Sequence, residues 1–135
     1  MGFFHFNHLA VLASALLQWL LCVLWYSPVF FGDVWKSAVN LPAEKAKVRL
    51  IRALMVSFIG CLLVSFVLLH VLGWAEADSV RRAMLVGFGL WFGFFLAPVA
   101  AQYIYEDRPF KLFAISAGYW LVALLAGSAL LVRWR

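Results

Sequence analysis

Charged side chains are scarce in this chain, and none falls inside any of four long apolar stretches. Acidic and basic residues together make up 13% of the 135 residues, about half the usual share for a soluble domain. The stretches run roughly from Leu9 to Phe31, Ala53 to Trp74, Ala83 to Tyr105 and Leu112 to Val132. Ion-coupled carriers and proton relays depend on ionisable groups at membrane depth, so their absence argues against both functions. A small four-helix multidrug exporter is expected to carry a glutamate in its first helix, and nothing in the first stretch is more acidic than Gln18. Cysteine is limited to Cys22 and Cys61, each about eight residues from the same membrane face in the first two stretches. Two such thiols are read as small apolar packing residues, not as a disulfide. No Ser-His-acid set and no zinc-ligand spacing is present, and the acids Glu76 and Asp78 sit together in a short loop. An enzyme is therefore not expected.

What the chain has in excess is apolar surface, at 67% of residues against about 45–50% in soluble domains. Stretches of 21 to 23 residues rise about 31–35 Å as α-helix, enough to cross a hydrocarbon core of about 30 Å. They are twice the length of a barrel strand, and a single chain in lipid must satisfy its own backbone hydrogen bonds, so each is read as a helix. The expected fold is all-α: a polytopic membrane protein with four transmembrane helices in a compact up-down bundle, one domain over residues 1–135. The first apolar run exceeds the apolar core of a secretory signal and no Lys or Arg precedes it, so it is expected to stay in place as a span.

The net charge of +5 gathers at the span ends, where it meets phospholipid headgroups, and so does not imply nucleic acid. Lys36, Lys45, Lys47, Arg49, Arg52, Arg108 and Lys111 lie on one side of the predicted bundle, against Arg81, Arg82, Arg133 and Arg135 on the other. Seven against four places both termini outside and the longer basic connections in the cytoplasm. Asn40-Leu41-Pro42-Ala43-Glu44 has the makings of a helix start, which puts the beginning of the second helix before the membrane. Lys45, Arg49 and Arg52 then recur at i, i+4 and i+7, forming a basic face suited to anionic headgroups or simply to water. Trp25, Tyr26, Trp35, Tyr103 and Tyr105 on that side, and Trp74 and Trp134 on the other, are read as interfacial anchors.

Small residues suggest where helices approach. Gly87, Gly89 and Gly93 in the third stretch, the last two as G-x-x-x-G, and Gly118 and Gly127 in the fourth, mark seams within the bundle or between copies of it. Gln18 is read as a hydrogen-bonding amide between helices, with a polar substrate group as the alternative partner. His8 and His70, with His5, belong to one face, where two imidazoles would suit a haem or a metal ion; no cofactor is expected, because no cysteine or carboxylate cluster joins them.

The pattern that singles the chain out is Trp25-Tyr26-Ser27-Pro28, then Phe31-Gly32, then Trp35. Pro28 kinks or ends the first span, and Gly32 permits the turn that brings Trp35 back to the interface, so the aromatic rings cap one mouth of the bundle. Together with Asn7-His8-Leu9-Ala10-Val11-Leu12 at the start, and Arg108-Pro109-Phe110-Lys111-Leu112-Phe113 followed by Gly118-Tyr119 near the end, this segment resembles the bacterial and fungal membrane proteins grouped as domain of unknown function 1761. The resemblance spans nearly the whole chain and implies a small four-span protein of the bacterial inner membrane, with no activity attached. Trp120 departs from the family's pattern, which often has a histidine after Gly-Tyr.

Three functional classes follow. The leading expectation is a non-enzymatic protein that binds a lipid, another hydrophobic small molecule or a partner's transmembrane helix through the aromatic-capped bundle, as a homo-oligomer. Its binding residues would be Gln18, Trp25, Tyr26, Ser27, Pro28, Phe31, Gly32 and Trp35. The alternatives are a transporter or channel for a neutral solute lined by Gln18 and serines, and a haem-binding redox protein using His8 and His70.

Overall fold

The structure, a computed structural model, describes residues 7–39 and 43–134. Among these residues it is helical, with no strand: α1 (His8–Trp25), α2 (Gly32–Val39), α3 (Ala43–Trp74), α4 (Val80–Leu90), a π-helical segment (Trp91–Leu96), α5 (Ala97–Tyr105) and α6 (Phe110–Arg133). Four helical runs are long and apolar enough to cross a membrane: His8–Trp25, Lys47–Trp74, Val80–Tyr105 and Phe110–Arg133. The expected all-α architecture with four span-like helices is what the chain adopts.

Three boundaries differ from the apolar pattern. The first span ends at Trp25, because residues 26–31 form a tight turn although Val29, Phe30 and Phe31 are as apolar as the helix before them. Behind that turn lies α2, a helix that hydropathy did not reveal. The third span is interrupted by the π-helical segment, with Pro98 just after it. Pro98 has no N–H to give, and in a regular α-helix its ring would press on the carbonyl of Phe94; widening the turn upstream relieves both problems. The expected helix start at Asn40-Leu41-Pro42 lies outside the described residues, and α3 is described from Ala43 with Glu44 in its first turn, next to the positive end of the helix dipole.

Helix α6 packs against α1 on one side and α4 on the other, α1 also packs along α3, and α3 barely touches α4. The Asn7 side chain ties two helix ends together. Its Oδ1 accepts from the Ala10 N–H at 3.2 Å as the cap of α1, and its Nδ2 donates to the Trp134 carbonyl at the end of α6 at 2.7 Å. The two remaining turns share one construction. Ala77 N–H bonds to Leu72 O and Glu76 N–H to Gly73 O after α3; Arg108 N–H bonds to Tyr103 O and Asp107 N–H to Ile104 O after α5. Each pair of bonds is a Schellman ending, and Glu76 and Asp107, both at φ 52°, hold the left-handed position that glycine usually fills. Buried Ala77 then packs into the same cluster as Leu72, which fixes how α3 hands over to α4.

Lipid tails are as apolar as leucine, so burial of hydrocarbon alone does not select which faces meet. Here the helices are joined by side-chain donors reaching neighbouring backbones. Trp19 Nε1–H donates to Leu54 O of α3 at 2.8 Å, Trp25 Nε1–H to Ile115 O of α6 at 3.0 Å, Trp91 Nε1–H to Ala117 O of α6 at 2.9 Å, and Tyr119 O–H to Gln18 O of α1 at 2.8 Å.

Candidate functional site

The turn after α1 is built from its own backbone. Ser27 O accepts from Phe30 N–H at 3.1 Å and from Gly32 N–H at 2.9 Å, Trp25 O accepts from Phe31 N–H at 3.0 Å, and the Ser27 hydroxyl donates to Leu24 O at 2.6 Å. Exposed Pro28 needs no acceptor there. A methyl group on Gly32 would stand 2.6 Å from Tyr26 O and 2.7 Å from the Ser27 carbonyl, so only glycine lets α2 start this close to the end of α1. Ser27, Pro28 and Gly32 therefore shape the turn, and Trp25, Tyr26, Phe31 and Trp35 are what the turn presents.

Trp25 and Tyr26 both pack against Tyr119, with ring centroids 6.5 and 6.3 Å from it, and differ in what else they meet. Trp25 turns toward α6: its indole bonds to Ile115 O and lies where a methyl on Gly118 would meet it at 3.2 Å. Phe31 packs against Trp25 at a tilt of 38°, with centroids 5.0 Å apart. Trp25 is thus a clamp between helices, where an interfacial anchor was expected. Tyr26 turns toward α3 and meets Trp35 edge to face at 6.1 Å. Trp74, 77% exposed, and Tyr105, 91% exposed, face outward as anchors would.

Tyr26 and Trp35 form one wall of a cavity of about 170 Å³ between α1, α2 and α3, completed by Cys22, Leu50, Ala53, Leu54 and Ser57. This is the candidate site. The polar groups of its lining residues are the Cys22 thiol, the Tyr26 and Ser57 hydroxyls and the Trp35 indole N–H, and it contains no charged side chain. Sequence reasoning named Tyr26 and Trp35 but missed the five others. Cys22 sits one helical turn before Tyr26, and Leu50, Ala53, Leu54 and Ser57 share one face of α3 by their i, i+3, i+4 and i+7 spacing, a signal hidden because the rest of α3 is equally apolar.

Gln18 is elsewhere, closed in the middle of the protein. Its Nε2 donates to Ser14 Oγ at 3.2 Å and to Ser65 Oγ at 3.1 Å, Ser65 Oγ donates to Ser14 Oγ at 3.0 Å, and all three residues are fully buried. A methyl on Gly127 would collide with the Gln18 amide nitrogen, so α6 covers this polar knot with bare backbone. Gln18 Oε1 is left without a partner. Cys61 is a buried free thiol 3.6 Å from Tyr119 Oη, and Cys22 is a second free thiol packed against the same tyrosine.

The glycines divide in the same way. Gly87 lies against α6, where a methyl would meet Ser128 Oγ at 2.6 Å; Gly118 and Gly127 lie against Trp25 and Gln18 of α1. A methyl group on Gly89 or Gly93 would meet nothing beyond its own helix within 4 Å among the described residues. Their G-x-x-x-G therefore contributes nothing to packing among the described residues. His8, exposed, opens α1, and His70 Nδ1 lies 2.8 Å from Phe66 O with its ring between Phe66 and Trp74. Among the described residues no group of three His, Cys, Asp or Glu side chains is placed to hold a metal ion, and His5 lies outside them.

The model for protein of unknown function DUF1761 matches residues 9–132, from the first turn of α1 to the last of α6. The chain belongs to the DUF1761 family. The matched range takes in the turn, the cavity-lining residues and the polar knot. No curated protein and no solved structure matches the chain.

Proposed function

We propose that this DUF1761 protein is a non-enzymatic membrane protein whose cavity between α1, α2 and α3 holds an apolar group from the membrane. The observation that carries the reading is the cavity itself. At about 170 Å³, it is smaller than the roughly 300–1,000 Å³ of sites that engulf a drug-sized ligand. Its volume is close to that of cavities of about 150 Å³ that take a benzene-sized guest, and it is partly open, with Ala53 exposed. It thus suits one ring, or a short length of acyl chain, with a hydroxyl or carbonyl met by Tyr26, Ser57 or Cys22. The edge-to-face pair of Tyr26 and Trp35 closes one side, and the turn fixed by Ser27 and Gly32 holds that pair in place. The burial of Gln18, Ser14 and Ser65 against one another gives a solute path no lining, which favours binding over conduction.

Native mass spectrometry of the protein released from mild detergent tests this reading. Wild-type protein is expected to retain one constant extra mass, and Ala53→Phe and Ser57→Leu, which fill the cavity, to lose it. A bare wild-type protein, or an extra mass that survives both substitutions, overturns the reading.

A further inference from the structure

Helix α3 opens with its charged residues, from Glu44 to Arg52, and its surface there is sorted by charge. Lys45, Arg49 and Arg52 are exposed and, with Val48 and Glu44, line an open hollow of about 430 Å³. Three cations against one carboxylate leave that lining with a charge of +2. Among the described residues the ion pairs are Asp78–Arg82 and Glu106–Arg108, so none of the three cations is neutralised by a carboxylate within 4.0 Å.

The same face continues into the membrane as hydrocarbon. At about 100° per residue, Val56, Ile59 and Leu63 all lie within roughly 40° of Arg52 around the axis of α3. They are exposed by 69%, 59% and 62%. From Arg52 to Leu63 the helix rises about 16 Å, close to the roughly 15 Å of one leaflet's hydrocarbon. A ligand that uses the whole surface needs an anionic head joined to an apolar chain one leaflet long.

We infer that this face of α3 binds an anionic phospholipid, with the phosphate between Lys45, Arg49 and Arg52 and one acyl chain laid along Val56, Ile59 and Leu63. A free phosphate or an acidic peptide would use the cations and leave the lane empty. None of these residues lines the α1–α2–α3 cavity, so the inference stands or falls separately from the proposed function. The helix supplies its own control. Lys47 carries the same charge in the same turn of chain but lies about 140–160° around α3 from Lys45, Arg49 and Arg52, and it does not line the hollow. A general attraction between basic residues and an anionic surface would count Lys47 equally; a site would not.

The test is thermal unfolding of the full chain in mild neutral detergent, titrated with phosphatidylglycerol or phosphatidylcholine, because a ligand that binds only the folded state raises the midpoint. Phosphatidylglycerol is expected to act at a lower concentration than phosphatidylcholine. Arg49→Gln with Arg52→Gln should raise its half-saturating concentration about thirtyfold, at roughly fivefold per basic residue, and Lys47→Gln should change it by less than about twofold. If the double variant does not fold, the single variants carry the test, each with its roughly fivefold loss. Equal action of the two lipids, an unchanged response in the Arg variants, or a loss in Lys47→Gln as large as theirs overturns the site.

Discussion

Helix α6 and the third span have the same mean hydropathy, 1.9 in their most apolar stretches, and similar lengths of 24 and 26 residues. They are nonetheless buried very differently: 39% of that stretch is buried in α6 and 11% in the third span. Hydropathy makes both apolar enough to cross a membrane, because it measures the transfer of side chains out of water. It does not decide what either helix touches once there, since a lipid tail and a leucine are equivalent neighbours. What separates them is small residues that meet a partner and donors that find a carbonyl. Gly118 and Gly127 bring α6 against Trp25 and Gln18, and its carbonyls at Ile115 and Ala117 receive two tryptophan indoles. The third span contributes Ala83, Gly87 and Trp91 to that contact, and after Trp91 neither the π-helical segment nor α5 buries a residue.

The largest difference between the two helices is expected on adding one methyl group to each. Gly127→Ala forces α6 away from the Gln18 amide and is expected to cost about 1–3 kcal/mol, the usual penalty for overpacking an interior contact. Gly89→Ala and Gly93→Ala meet nothing beyond their own helix within 4 Å among the described residues and should leave the thermal midpoint in detergent unchanged or slightly higher. A Gly89→Ala loss as large as that of Gly127→Ala would mean that the third span has a packing partner outside the chain.

Removing donors is the next, smaller test. Gln18→Leu deletes the bonds to Ser14 and Ser65 but leaves those two serines bonded to each other. Trp91→Phe deletes the single bond to Ala117 O. Interhelical hydrogen bonds within membranes average about 0.6 kcal/mol and reach about 1.7. Gln18→Leu also relieves the unpartnered Oε1, so its loss is expected to be the smaller of the two, measured again as a shift in midpoint. A larger loss for Gln18→Leu would show that the polar knot, and not the indole clamps, holds α1, α3 and α6 together.

The same physics explains what could be read in advance. Four spans were legible because a missing charge is visible residue by residue, and the Pro28 and Gly32 punctuation announced the end of α1. Helix α2 was not legible, since Val29, Phe30 and Phe31 prolong the apolar run past the point where the backbone turns. Gln18 was recognisable as an interhelical amide by its chemistry, and Tyr26 and Trp35 by their place in the signature. Leu50, Ala53, Leu54 and Ser57 were not, because α3 is apolar on its lipid face as well as on its protein face and the usual polar-apolar alternation is absent. The interruption at Trp91–Leu96 is the extreme case: Trp-Phe-Gly-Phe-Phe-Leu contains nothing that distinguishes a π turn from an α turn, and Pro98, which has no N–H to give, lies beyond it.

That interruption offers the mildest test. Pro98→Ala restores a backbone donor and removes the ring that would crowd the Phe94 carbonyl, so the widened turn is expected to revert to regular α-helix. Losing one residue of bulge rotates one half of the span by about 100° relative to the other. Helix α4 is held to α6 through Gly87 and through Trp91 on Ala117 O, and α5 buries nothing, so α5 is the half that turns. The edge-to-face contact of Tyr103 with Phe113, 5.6 Å between centroids, is then lost, at a cost of about 1 kcal/mol or less. Spin labels on Leu85→Cys and Ile104→Cys, at sites 61% and 81% exposed, should report a changed separation in Pro98→Ala with little change in midpoint. An unchanged separation would show that packing imposes the π turn, and a fall in midpoint as large as that of Gly127→Ala would show that α5 is held far more firmly than its burial indicates.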